Sequence, residues 1–142
     1  EINALFFNRQ AFSKSDFILK MLQSLNPDLI VLAGFLWFIP EYFITGFSNR
    51  ILNIHPSLLP KYGGKGMYGA KVHQAVFNAK EKESGITIHL VNNEYDKGEI
   101  LLQKSVDISS ENSPEKIALK VLKLEHQFFP ETIEKFIEKN SL

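Results

Sequence analysis

Two apolar runs decide the fold: Leu29-Ile30-Val31-Leu32-Ala33-Gly34, and Arg50-Ile51-Leu52-Asn53-Ile54. The first is apolar at successive rather than alternate positions, as expected of a parallel strand covered by helices on both faces. Upstream, Asn26-Pro27-Asp28 stops a helix whose apolar residues Phe17, Ile18, Met21, Leu22 and Leu25 have helical spacing, with Ser13 or Ser15 as its N-cap. Asn3–Phe7 (NALFF) predicts a further strand before it. Between the two apolar runs, Pro40 suits the first turn of a short helix through Phe47.

Downstream, residues 56–69 (PSLLPKYGGKGMYG) hold too many Gly and Pro for any regular element and predict a long shaped loop, a feature that in compact domains usually serves function. Ala70–Lys80 resumes a helical pattern with Val72, Ala75, Val76 and Ala79 inward, ending in the solvated run Lys80-Glu81-Lys82-Glu83. Ile86–Val91 and Ile100–Ile108 read as strands, the second an antiparallel neighbour of the first, joined by the polar connection Asn92–Gly98. Ser113-Pro114-Glu115 opens a final helix with Ile117, Val121, Leu124, Phe128 and Ile133 on its apolar stripe, where Pro130 could introduce a kink. Strand and helix alternate, which predicts one α/β domain over residues 1–142: an open, mostly parallel, twisted sheet with helices on both faces and its last strands partly antiparallel.

Composition bounds the function. The 142 residues are 44% hydrophobic, enough for a core without a disulfide or structural metal. Zero Cys removes thiolate zinc sites and Cys nucleophiles and fits a reducing, cytoplasmic setting. Sixteen basic and sixteen acidic residues cancel, so no net field draws the chain to nucleic acid or an anionic membrane. The longest apolar stretch, residues 29–40, is well short of the ~20 residues a spanning helix needs.

In open α/β sheets ligands bind beyond the carboxyl ends of strands, where Asn53-Ile54-His55-Pro56-Ser57 falls. Alternation puts Asn53 and His55 on one side of the strand end. An amide donor beside an imidazole suits a developing oxyanion, and the imidazole can move a proton near neutral pH. An isolated Asn-x-His is also what a polar strand end satisfied by its own loop looks like; the Gly-rich loop that follows shifts the weight towards chemistry. His73 and His89 could be joined with His55 as metal ligands, but no ligand spacing such as H-x-x-x-H supports this, and no metal is expected.

Asn53–Pro60 (NIHPSLLP), Tyr62–Gly69 (YGGKGMYG) and Tyr95–Ile100 (YDKGEI) together resemble the formyltransferase family, over about Leu5 to Ile133. The resemblance implies transfer of a formyl group from 10-formyltetrahydrofolate to the amine of glycinamide ribonucleotide, with Asn53, His55 and Asp96 as the catalytic set. It further implies a folate pocket at Leu36, Trp37, Phe38 and Ile39 and at Asn93, Glu94 and Tyr95. Met67, Tyr68 and Glu125 would lie on the substrate side, Glu125 at the ribose hydroxyls. Asp96, if near His55, would favour the imidazolium and help carry the amine proton away. Read without the family, Asp96 is a turn residue, Leu36–Ile39 a core edge and Glu125 an exposed helical carboxylate.

One departure is plain. Family members open with a strand and a Gly/Ser-rich loop that cradles the substrate phosphate on backbone N–H groups, and the chain, which begins at Glu1, has no such segment. The expectation is an N-terminally incomplete domain. Methionyl-tRNA formyltransferase, formyltetrahydrofolate hydrolase or a folate-binding module without turnover are the competing readings. Small molecules are the expected partners, and a homodimer is left open.

Overall fold

The computed structural model describes Ile2 and residues 4–142. Helices α1 (Arg9–Ser13) and α2 (Phe17–Leu25) precede strand β1 (Ile30–Leu32); α3 (Glu41–Gly46), β2 (Ile51–His55), α4 (Ala70–Asn78), β3 (Glu83–Leu90), β4 (Ile100–Asp107) and α5 (Pro114–Asn140) follow. The four strands form one sheet in the order β1-β2-β3-β4.

The α/β open sheet is as expected, but its parallel share is smaller. Among the described strands only β1 and β2 pair in parallel, whereas β2 with β3 and β3 with β4 are antiparallel. Loop 56–69 and α4 together return the chain to the end of the sheet it left, placing Thr87 opposite His55. Hydrophobic pattern identifies strands, but this return length, which sets direction, is invisible to it.

Two apolar clusters cover the sheet. Ile51 belongs to one, with Phe12, Ile18, Ile39, Phe43 and Phe47; Ile54, pointing the other way, packs on the second, with Val72, Val76, Ile86, Ile88, Ile117 and Val121. β1 departs from expectation: Ile30 and Leu32 pack on the first cluster, but Val31 on the opposite face is 39% exposed. The strand expected at Asn3–Phe7 is also absent. Asn3 lies outside the described residues, and Ala4–Phe7 make no sheet pairing. The Phe7 ring instead lies 5.9 Å from that of Phe12 and 6.2 Å from that of Trp37. Directly after it, Asn8 N-caps α1, its side chain accepting from the Ala11 N–H at 2.8 Å.

Neither Ser13 nor Ser15 caps α2. Their hydroxyls donate to the carbonyls of Arg9 and Ala11, and Asp16 takes the N-cap position. At the far end of α2, Asn26 adopts the left-handed conformation that ends a helix cleanly, and Pro27 prevents its resumption. β3 begins at Glu83, inside the run expected to be a solvated helix end. α5 runs through Pro130 to Asn140, with Ser113 as N-cap.

Candidate active site

β2 ends at His55, and the loop after it is fastened to the sheet by buried polar groups. The Thr87 hydroxyl donates to the Ser57 carbonyl at 2.7 Å and accepts the Leu59 N–H at 3.0 Å. The Gln103 amide donates to both the Leu59 carbonyl and the Thr87 hydroxyl. Ser57 closes the turn by donating to the Lys61 carbonyl at 2.7 Å, and the Leu59-Pro60 bond within it is cis. These bonds fix where residues 62–64 meet the site.

The loop then supplies two of the site's contacts. The Tyr62 carbonyl, which can only accept, lies 2.8 Å from His55 Nε2, so that nitrogen carries a proton. The Gly64 N–H donates to Asp96 Oδ2 at 2.8 Å. His55 Nδ1 faces the same Asp96 oxygen at 3.6 Å, and His89 Nε2 faces Asp96 Oδ1 at 3.6 Å. Asp96 thus sits between two imidazoles. Antiparallel pairing puts Asn53 opposite His89, and Asn53 Nδ2 is 3.2 Å from His89 Nε2. The other His89 nitrogen donates to the Leu90 carbonyl at 2.8 Å, so Nε2 can accept from Asn53. One of the two Asn53 amide hydrogens is spent in this way, leaving the second for a ligand.

Burial governs the charges. It pushes His55 below the usual imidazole range, outweighing the upward pulls of Asp96 and the Tyr62 carbonyl, while the charge of His89 adds to the lowering. The sequence expectation was that Asp96 would favour the imidazolium; it does pull that way, but desolvation prevails and His55 rests neutral at neutral pH. For Asp96 burial acts upward, yet the imidazole of His89, the Gly64 N–H and the imidazole of His55, each ring in its protonated form, outweigh it and hold the carboxyl below its ordinary value. Burial raises Glu125. Neutral His55 holds its proton on Nε2, leaving Nδ1 with a lone pair beside an ionised carboxylate. That is the arrangement of a base whose protonated form has a counter-charge waiting.

Asn53, His55 and Asp96 open onto a cavity of about 1030 Å³. Leu36, Trp37, Phe38, Ile39, Glu94 and Tyr95 line it, as do Met67, Tyr68 and Glu125. Asn93 does not: it is exposed, and its neighbours Val91 and Asn92 line the cavity instead. The core reading of the apolar edge also holds in part, because Ile39 is 6% exposed within the first cluster and Trp37 packs on it. The Phe38 and Tyr95 rings meet at a tilt of 53°, with centroids 4.9 Å apart, at the rim. His89 and His73 are the residues that sequence reasoning weighed only as metal ligands. The signal for His89 was its period-2 placement on a strand, usable only with the β2–β3 register in hand.

Residues 4–133 match the model of the formyl transferase family. The chain is 43% identical over 136 residues to a phosphoribosylglycinamide formyltransferase of Haemophilus influenzae, covering 93% of itself and 62% of that protein. It is 46% identical over 116 residues to the chloroplastic phosphoribosylglycinamide formyltransferase of Arabidopsis thaliana, covering 82% of itself and 40% of that protein. Among solved structures, the phosphoribosylglycinamide formyltransferase of Brucella melitensis superposes with a TM-score of 0.78 at 40% identity, over 92% of this chain and 66% of that one. That of Streptococcus pneumoniae gives 0.81 at 26% identity, over 92% and 72%. The chain therefore spans between two fifths and two thirds of the length of most of these relatives.

Proposed function

The chain belongs to the formyl transferase family, and on that premise we propose that it carries the catalytic centre for transfer of a formyl group from 10-formyltetrahydrofolate to the amine of glycinamide ribonucleotide, a step of purine biosynthesis. The single observation that carries this reading is the convergence of Asn53, His55 and Asp96, drawn from two distant segments, with His55 Nδ1 3.6 Å from Asp96 Oδ2 at the cavity wall.

Each group has a task. The free Asn53 amide hydrogen would donate to the formyl oxygen as amine addition makes it negative, a contribution worth about 3 to 4 kcal/mol in other acyl-transfer sites. His55 Nδ1 would take the amine proton, and Asp96 would stabilise the resulting imidazolium at the moment it forms. The same Nδ1–H can then pass the proton to the departing nitrogen of the donor, so no net proton is left on the enzyme. His89 holds Asn53 in orientation. The formyl donor is a co-substrate, and an apolar, aromatic edge from Leu36 to Ile39 with Tyr95 opposite Phe38 fits the flat ring of a folate. Met67, Tyr68 and Glu125 are assigned to the nucleotide side, the Glu125 carboxylate to the ribose hydroxyls.

No helix among the described residues is long and apolar enough to cross a membrane. The reading places the reaction in the cytoplasm, among small-molecule partners.

The test is an acceptor comparison on the natural polypeptide that carries this sequence, with 10-formyltetrahydrofolate as donor. Tetrahydrofolate release is expected to depend on glycinamide ribonucleotide. Release at the same rate with water alone, or formyl transfer to methionyl-tRNA in preference, would replace the reading with one of its competitors.

A further inference from the structure

His73, in the second turn of α4, is 8% exposed, and its Nδ1 is shut off from solvent with no hydrogen-bond partner. No hydrogen bond reaches either of its ring nitrogens among the described residues, whereas His55 has one and His89 has one at each ring nitrogen. The residue is also not a passive filler between α4 and the sheet. Its neighbours Val72 and Val76 do that work at 0% and 1% exposure, while His73 lines the cavity. Only Nδ1 is shut off in this way, and leaving it unmet carries a desolvation cost, while Nε2 stays open to a partner. Such a group persists where the missing partner arrives from outside.

The position says which ligand brings it. Cavity-lining residues near His73 in the chain are Met67, Tyr68 and Ala70, and α5 adds Ala118, Leu122 and Glu125. This is the wall assigned above to the nucleotide, not the Leu36–Ile39 edge assigned to the folate. His73 and His55 line the same cavity. On the formyl-transfer reading, an acceptor with its amine at His55 and its ribose at Glu125 would carry its adjoining amide along this wall. An amide offers both an N–H and a carbonyl oxygen, and a neutral imidazole can meet either one. Burial pushes His73 below its usual range and keeps it neutral.

We propose that His73 is a substrate-binding residue whose ring hydrogen-bonds the amide next to the reacting amine of the acceptor. The proposal rests on the formyl-transfer reading, and the test separates the two. In the natural polypeptide, wild-type transfer to glycinamide ribonucleotide tests the reading, and its absence removes the proposal with it. With wild-type transfer established, His73→Phe keeps the ring's bulk and removes both nitrogens. It should raise the KM for the nucleotide about 10- to 100-fold, leave kcat and the affinity for a folate analogue within about twofold, and leave Tm unchanged or higher. His73→Asn places an amide nitrogen near the site of Nδ1, and His73→Gln near that of Nε2, so one of them should recover at least half of the lost affinity and identify the nitrogen used.

A nucleotide KM within about twofold of wild type in His73→Phe would overturn the proposal, leaving only a buried water or nothing as the partner. So would a raised KM that neither Asn nor Gln reverses, since ring shape would then be the cause. If His73→Phe is too unstable to assay, the Asn and Gln variants decide alone: equal, wild-type KM values in both would overturn it, and a clear difference between them would support it.

Discussion

His55→Ala is expected to lower kcat for formyl transfer by about 10² to 10⁴ while leaving the affinity for a folate analogue within a few fold. The asymmetry follows from what His55 touches. Its Nε2–H is committed to the Tyr62 carbonyl, so only Nδ1 is available for chemistry, and that atom faces Asp96. A proton reaches Nδ1 only as the amine adds, and the ion pair formed there belongs to the transition state rather than to the bound ground state. Steady-state kinetics and a separate folate titration on the natural polypeptide check this. A variant that keeps more than about a tenth of wild-type kcat would remove His55 from proton transfer.

The second large effect is structural. A Cβ added at Gly98 would meet the Leu90 carbonyl oxygen at 1.6 Å and its carbon at 2.7 Å, far inside contact distance, so backbone must move. The Leu90 backbone is committed on both sides: its N–H donates to the Glu99 carbonyl at 2.9 Å, and its carbonyl accepts from His89 Nδ1. Gly98→Ala should therefore break the junction between β3 and β4 and release His89, and with it the orientation of Asn53 and Asp96. We expect a loss of about 3 kcal/mol or more, roughly 10 °C in Tm, together with a fall in kcat/KM larger than the loss of folded protein explains. A Tm within roughly 2 °C of wild type would show that the turn has room the structure does not indicate.

Much of the site was legible because its chemistry is local in sequence. Asn53 and His55 share a strand end, and the breakers from Pro56 to Gly69 mark a loop built to hold something. Asp96 was legible only through the family resemblance, since within Asp-Lys-Gly it reads as a turn residue; its approach to His55 depends on a loop and a strand return of 41 positions, including the Gly64 N–H that anchors it. The aromatic cluster around Phe12 shows where residues 4–7 go instead of pairing as a strand. The Phe7 ring stacks on Phe12 and meets Trp37 edge-on, beside a β1 only three residues long. Asn93 stands off the cavity lining, because Asn92 turns into the connection by donating to the Lys97 carbonyl and accepting the Glu94 N–H, and Asn93 is exposed. That burial outweighs the pull of Asp96 on His55 was not legible, because desolvation depends on packing from every side, and a sequence shows only a residue's neighbours along the chain.

The account stands or falls on His55 and Asp96 acting as one charge-coupled pair, and the direct measurement is an NMR titration of the His55 ring in the wild-type protein and in Asp96→Asn. Burial lowers the His55 midpoint and Asp96 partly restores it. Removing the carboxylate charge leaves burial opposed only by the Tyr62 carbonyl, so the midpoint should fall further below the ordinary value of about 6.5. The unfolded chain still binds that proton near 6.5, so the variant should also lose more stability than wild type as pH drops through that value. An unchanged His55 midpoint, or one that rises, would contradict the pairing and with it the assignment of Asp96 to the catalytic set.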